Sequence, residues 1–428
     1  MPAVTGTDLT QIRAGRLVDV IAGEARRSQV VTIKGERIEA VGPDEGSYAR
    51  DARVIDLSSH TVLPGLIDCH AHLIGDVDTG HGYAGLVQSS AAQEVVLGVR
   101  NARMTLEAGF TTVRDVGSFR ALTDVALRAG IDAGWVLGPR MMCAGAYITC
   151  PGGGGDVTGL AIDVDQAVPR DLRFGVSKNA DEVRDAVRRI LHGGADFIKV
   201  IATGAVLTEG TTPSAPEFSE AEIHAAVEEA ALYGTHVAAH AHGAEGIKRA
   251  VRAGVRSIEH GSIADEEAIE LMAEHGTYLV ADVWLGDWAL EQGRIAAWSP
   301  TVMRKMEDTT VTQREVFAKA VGAGIRLAFG TDSGVYPHGM GTRQFATMVR
   351  LGMTPMQAIR SGTIVAAELM GWEDRVGSLQ PGRYADLVAV RGDPLEDLDL
   401  LNDVALVMKG GDIVRGVRDP FPLDAPRE

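Results

Sequence analysis

The pattern of apolar and polar positions divides this chain into two strand-rich ends and a different middle. Near the start, residues 29–33 are β-branched, Lys34-Gly-Glu reads as a turn, and residues 37–41 resume a period of two. Nothing between residues 10 and 57 has a helical period. Near the end, residues 385–390 and 404–409 are again strand-like, with turns at Gln380-Pro-Gly-Arg and Lys409-Gly-Gly-Asp. These ends, residues 1–59 and 376–428, predict one small sheet domain assembled from both termini around a central domain of residues 60–375.

The middle repeats a rhythm: an amphipathic helix stops at Gly, and a short β-branched run follows and ends in a polar residue. The repeats are Ala108-Gly-Phe-Thr-Thr-Val-Arg-Asp115, Gly194-Ala-Asp-Phe-Ile-Lys199, Tyr233-Gly-Thr-His-Val-Ala-Ala-His240 and Ala253-Gly-Val-Arg-Ser-Ile-Glu-His260. His275-Gly-Thr-Tyr-Leu-Val-Ala-Asp282 and Ala323-Gly-Ile-Arg-Leu-Ala-Phe-Gly-Thr-Asp332 continue it. Glycine supplies the left-handed residue that ends a helix, and Ser219-Glu-Ala-Glu222 and Thr354-Pro-Met-Gln357 have the form of capping boxes that start one. With a strand leading to His70 and another over residues 140–146, about eight strands alternate with helices. That count predicts an α/β fold of the (β/α)8 TIM-barrel type. An open doubly wound sheet is the alternative, but no Gly-x-Gly-x-x-Gly opens a helix after the first strand.

Composition narrows the partners. The chain has 428 residues, enough for a large core, and 51 glycines, which suit many tight strand-helix junctions. With 41 Lys+Arg against 58 Asp+Glu the net charge is -17, without a basic cluster, so nucleic acid and anionic membranes are poor partners. Cys69, Cys143 and Cys150 make neither an even disulfide framework nor a Cys-x-x-Cys pair. The first sixteen residues lack the apolar core of a signal peptide, and no run approaches the roughly 20 apolar residues of a membrane span. A cytoplasmic, reducing location is the expectation.

The chemistry collects at strand ends, where a barrel carries its active site. His70 and His72 close the apolar run Leu63-Pro-Gly-Leu-Ile-Asp-Cys-His-Ala-His72 on alternate residues, so both point to one face of a strand, and Cys69 points away. Lys199, His240, His260 and Asp332 end later strands. Each has an ordinary reading alone: a paired lysine, a satisfied core histidine, a capping aspartate. Together they suit two divalent cations, with His70, His72 and Asp332 holding one and His240 and His260 the other. Lys199 can bridge the two only if CO2 converts its amine to a carbamate. A hydroxide shared by the metals is then the nucleophile, and Asp332 is the catalytic general base and acid that moves its proton to the leaving nitrogen.

The chain resembles the metal-dependent amidohydrolase superfamily, in particular its dipeptidase and carboxypeptidase-like branch acting on Xaa-Pro, Xaa-Arg/Lys or similar amides. The resemblance covers nearly the whole chain. It rests on the opening that ends in His72, on Phe197-Ile-Lys199, His240-Ala-His-Gly243, Ser257-Ile-Glu-His-Gly261 and Gly330-Thr-Asp332, and on the closing Gly377-Ser-Leu-Gln-Pro-Gly-Arg-Tyr-Ala-Asp-Leu-Val388. Ochratoxin-hydrolysing amidohydrolases are similar too. The resemblance implies a small β-sandwich beside the barrel, zinc as the usual metal, a homo-oligomer, and a small amide substrate: a dipeptide, or an N-acyl amino acid with an aryl acyl group. It also implies a substrate-binding place for His242, where relatives can carry a Tyr that holds the substrate carboxylate, and for the backbone at Val206. Many relatives have a His in the loop after the third strand that contacts the scissile carbonyl; here that loop reads Cys150-Pro-Gly-Gly-Gly-Gly-Asp156, without one. Arg114 and Asp115 take structural roles. The tryptophan-bearing stretch 284–298 is either a pocket wall or a surface loop packing its own aromatics. A cyclic amidase or deaminase of the same superfamily, and a catalytically silent scaffold, are the competing functions; Lys199 speaks against the deaminase and the intact set of six ligands against the scaffold.

Overall fold

The computed structural model describes residues 9–75, 83–295 and 298–416. Parts of the terminal segments read above, residues 1–8 and 417–428, and two residues of the stretch 284–298 lie outside these. The first four strands, β1 (Leu9–Asp19), β2 (Glu24–Lys34), β3 (Arg37–Pro43) and β4 (Arg53–Pro64), belong to one hydrogen-bonded sheet with three strands from the far end. The barrel strands follow as β5 (Leu66–Ala71), β6 (Phe110–Asp115), β7 (Arg140–Cys143), β8 (Tyr147–Ile148) and β9 (Ile198–Ile201), then β10 (Val237–Gly243), β11 (Ser257–Ile263), β12 (Tyr278–Ala281) and β13 (Leu327–Phe329). The last three are β14 (Leu387–Arg391), β15 (Leu406–Lys409) and β16 (Asp412–Arg415).

The sheet from the two ends has the order β16-β15-β14-β4-β1-β2-β3. It curls over one core because β3 bonds back to the segment before β14: Ile38 N–H donates to Arg383 O at 3.0 Å, and Ala385 N–H donates to Glu36 O at 2.8 Å. Every second residue of the strands, Ile12, Val31, Ile33, Leu57, Leu387 and Met408 among them, meets in that core. The β-sandwich expectation is thus realised as a single sheet folded over itself. β4 then passes into the first barrel strand across Gly65, where a β-carbon would lie 2.1 Å from Thr111 Oγ1.

All neighbouring barrel strands run parallel. The third strand departs from expectation. Residues 140–146 are not one strand; β7 pairs with β6 and β8 with β9, and the break falls at Gly145 with φ +76°. The barrel closes between its last and first strands through a bridge of Ala71 with Ser333. Its lower end is plugged by the helix Ile364–Met370, whose Ala366, Leu369 and Met370 pack on Ile67, Cys69, Phe197 and Val280.

Helix ends follow the sequence rules. Gly109, Gly194, Gly234, Gly254, Gly276 and Gly324 all adopt positive φ where the rhythm placed them. Ser219 and Thr354 each accept a hydrogen bond from the backbone of the residue three on, and Glu222 and Gln357 reach back reciprocally. A Ser219→Ala change leaves Glu222 N–H without its side-chain acceptor and is expected to cost about 1 kcal/mol in urea-unfolding measurements.

Candidate metal centre and active-site cleft

Closure of the barrel builds the first half of the site. Asp332 N–H donates to His70 O at 2.7 Å, and His72 N–H donates to Ser333 O at 2.9 Å, so the segment after β13 is zipped against the end of β5. Beneath it, Asp68 accepts from Thr331 Oγ1 at 2.5 Å, from Thr331 N–H at 3.0 Å and from His70 N–H at 3.1 Å. Asp332, at φ +56°, then sets Oδ1 3.4 Å from His70 Nε2 and 3.2 Å from His72 Nε2.

The other histidines come from β10 and β11. The ring centroids of His240 and His260 are 4.6 Å apart, and those of His70 and His260 4.8 Å. His260 has φ +69°, a left-handed backbone that non-glycine residues seldom adopt. That turn breaks the alternation of the strand, so Glu259 and His260, although adjacent, both serve the centre. Glu259 accepts from His70 Nδ1 at 2.8 Å, and His260 Nδ1 donates to Asp282 at 3.0 Å.

Each ring is oriented by a partner on one nitrogen. His70 is held by Glu259, His72 Nδ1 donates to Gly117 O at 2.7 Å, His260 is held by Asp282, and His240 Nε2 donates to Gly204 O at 3.3 Å. The opposite nitrogen of each is left for a ligand, the arrangement by which outer partners set metal-binding tautomers. Three donor groups have ligand atoms within 4.8 Å of one another: His70, His72 and Asp332; His240, His242 and His260; His260, Asp282 and Asp332. Burial holds His70, His240 and His242 below the usual histidine range, His242 down to about 3, which keeps them neutral as ligands must be. Burial also works against charge on Asp332 and His72, but His70 and then His72 outweigh it at the carboxyl, lowering it, and Asp332 outweighs it at the His72 imidazole, raising it. A cation would take the place of that imidazole proton. This donor set fits divalent metal ions.

Lys199 lies in the same cleft, buried at 2% exposure. Burial pushes its ammonium down to about 8, with the Arg114 guanidinium adding to the effect and Glu259 opposing it. Glu259 is itself fully buried, and burial alone would raise it; Arg114 and His70 more than reverse that. Arg114 donates to Glu259 at 2.7 Å, to Ser257 Oγ at 3.0 Å and to Cys69 O at 2.6 Å. Arg114 is therefore structural, as read from the sequence. So is Asp115, which accepts from Leu73 N–H at 2.8 Å and Gly117 N–H at 3.0 Å.

The cleft above these groups is a cavity of about 440 Å³. His242 and Val206, the two substrate-binding candidates, both line it, with His242 Nδ1 3.0 Å from Ser262 Oγ. The second donor group above puts His242 within ligand reach as well, a position the sequence did not suggest. Of the four glycines of the third-strand loop, Gly152 has a left-handed backbone at φ +74°, and Gly153 and Gly155 have a steric reason. A β-carbon would fall 2.6 Å from Glu217 Oε2 at Gly153 and 2.8 Å from Ile201 Cγ1 at Gly155, so only glycine lets this loop lie against the wall of β9. Gly154 N–H donates to both Glu217 oxygens, at 3.0 and 2.8 Å. The stretch 284–298 takes the first of its alternatives, a pocket wall, and is not a surface loop: Leu285–Ile295 is a helix whose Leu285 and Gly286 line the cavity, while Trp284 and Trp288 pack on Tyr336.

Residues that sequence reasoning missed are Asp282, Glu259, Asp68 and Tyr147. Asp282 ends the seventh strand unit in the same position as the other candidates, so its signal was present. Glu259 carried none, because regular alternation turns it away from His260. Tyr147 lines the cavity with its hydroxyl 3.2 Å from His72 Nδ1, but it lies beyond the unforeseen break in the third strand.

The fold and this cleft define a barrel enzyme with clustered histidine and aspartate donors at the upper ends of its strands. The sequence profile of the amidohydrolase family matches residues 61–414, and the chain belongs to that family. It is 32% identical to ochratoxinase of Aspergillus niger, covering 95% of this chain and 87% of that protein. The crystal structure of A. niger ochratoxinase superposes with a TM-score of 0.84 at 30% identity, covering 98% of this chain and 99% of that one. A Xaa-Pro dipeptidase with methionine bound in its active site gives a TM-score of 0.89 at 39% identity, covering 95% of this chain and all (100%) of the other. A prolidase complexed with N-methylphosphonate-L-proline gives 0.87 at 31%, covering 95% and 100%. The chain is a hydrolase, and hydrolysis of amide or peptide bonds is its reaction class.

Two outcomes test this geometry. Arg114→Met leaves the Glu259 carboxylate buried without its cation and is expected to lower the unfolding free energy by roughly 3–5 kcal/mol, measured by denaturant titration. Glu217 concerns pH: burial raises its carboxyl from 4.5 to about 7, against Gly154 N–H and Lys305. A carboxyl that holds its proton more tightly in the fold than when unfolded stabilises the acid side, and that contribution is lost as pH rises through about 7. Glu217→Gln should therefore remove part of the decline in stability between about pH 5 and about pH 8, read as a smaller shift in unfolding midpoint than in the unaltered protein.

Proposed function

We propose that the protein is a binuclear-metal amidohydrolase that cleaves the amide bond of N-acyl amino acids or dipeptides, releasing a free amino acid. The observation that carries this reading is the Asp332 carboxylate, set between the Nε2 atoms of His70 and His72 at the floor of the cleft. His70, His72 and Asp332 would hold one divalent cation, and His240 and His260 the other, with Lys199 between them as a carbamate. The lowered ammonium of Lys199 favours that carbamate, because only the neutral amine attacks CO2. Bound divalent ions supply Lewis acidity, acidifying water and polarising a carbonyl.

The chain's own groups supply the rest. Asp332, held ionised by His70 and His72, accepts a proton from the attacking water and delivers it to the amide nitrogen as the C–N bond breaks. Water thereby adds to the acyl carbon and the amino acid leaves as a neutral amine. His242 and the backbone at Val206 would seat the carboxylate of the leaving amino acid, and Leu285 and Met306 offer an apolar wall to its side chain. The dipeptidase with methionine bound in its active site supports an amino acid with an apolar side chain as the product. Zinc as the metal, a homo-oligomeric assembly and a cytoplasmic location belong to the same proposal. Among the described residues, no helix is long and apolar enough to cross a membrane.

Incubation with a panel of N-acyl amino acids and dipeptides, followed by amino-acid analysis, tests the reading. Release is expected from members with apolar side chains, to stop after chelation and to return with zinc or manganese. Asp332→Asn should lower kcat by roughly a hundredfold or more. Absence of release from every member would refute the proposal.

A further inference from the structure

The loop after β9, residues 204–212, is held from behind by a cation outside the cavity lining. Lys305, on the helix Pro300–Gly322, donates through Nζ to Thr208 O at 2.8 Å and to Ala205 O at 3.3 Å. Thr211 ties the same turn from within, accepting from Ala205 N–H at 3.1 Å and donating to Thr208 O at 3.1 Å. Thr208 Oγ1 fastens the turn to the glycine loop by donating to Gly154 O at 2.8 Å. These contacts fix the plane of the peptide that joins Ala205 to Val206.

A trans peptide points its N–H opposite to its C=O. With Ala205 O turned towards Lys305, Val206 N–H turns away from it, and Val206 is one of the residues lining the cavity. Among the described residues, no acceptor meets Val206 N–H or Leu207 N–H. The cation on the carbonyl side strengthens the partial positive charge at the other end of the peptide. A donor so prepared suits an anion and gives a neutral amide far less.

We propose that Lys305 is a specificity-determining positioning residue that presents Val206 N–H to the carboxylate of the substrate's leaving amino acid, and so makes the enzyme select amides bearing a free carboxylate. This rests on the amino-acid-releasing function proposed above and assigns its selectivity to a residue that touches no substrate atom. Burial works against the charge on Lys305, and Glu209, within the same loop, and Glu217 oppose that effect.

The test uses the full metal-loaded protein and two ligands that differ only at the carboxyl, L-phenylalanine and L-phenylalaninamide, with binding followed by calorimetry. The unaltered protein is expected to prefer the acid, and Lys305→Met to weaken binding of the acid about tenfold while leaving the amide unchanged. Lys305→Arg should keep most of the preference. Lys305→Gln keeps a donor and loses the charge; it should lose the preference too, and it carries the test if the Met variant does not fold. With N-acetyl-L-phenylalanine as substrate, Lys305→Met should raise KM with kcat held. Equal weakening of acid and amide, an unaltered Lys305→Met, or no preference in the unaltered protein would each overturn the proposal. A preserved preference in a protein that hydrolyses no amide would instead strike the proposed function alone.

Discussion

The site depends on one buried carboxylate. Glu259 sits in the barrel without solvent, where an unpaired charge would be prohibitive, and it stays ionised because the Arg114 guanidinium lies against it. Its second oxygen orients His70, and Arg114 at the same time binds the carbonyl of Cys69, the residue before that histidine. One ion pair therefore links β5, β6 and β11 below the cleft, setting ring orientation and strand position together. It also supplies charges that act on Lys199 from a fixed place.

Above that floor, the backbone accepts strain where the chemistry needs donors to converge. His260 and Asp332 are two of only four non-glycine residues at positive φ among the described residues. At His260 the turn lets two neighbours on one strand face the centre. At Asp332 it follows the zipping of the last strand to the first, which delivers the carboxylate to two imidazoles from the opposite side of the closure. Such strain persists because Asp68, Thr331 and Ser333 lock the segment below it.

Much of this was legible in the sequence because it follows from period and spacing. Gly109 through Gly324 end helices as their positions require, and His70 and His72 share a face because strand alternation demands it. The ends fold into one sheet because residues such as Val31, Ile33 and Leu387 keep a period of two. What escaped lies where local rules yield to tertiary ones. Gly145 breaks the third strand so that β8 can reach β9. His260 leaves the alternation, hiding Glu259, and the glycine loop answers to the side chains of Glu217 and Ile201, far away in sequence. The position of His242 beside His240 and His260, with ring centroids 4.6 and 4.8 Å away, likewise depends on how β10 and β11 pair.

As proposed above, the six donors from His70 to Asp332 act as one two-metal centre for amide hydrolysis. Titrating the chelator-stripped protein with zinc in bicarbonate buffer, while following amino-acid release, tests it most directly. Activity is expected to rise to a plateau at two metal equivalents per chain, and Lys199→Ala to abolish the rise. A plateau at one equivalent, or full activity in the Lys199→Ala protein, would contradict it.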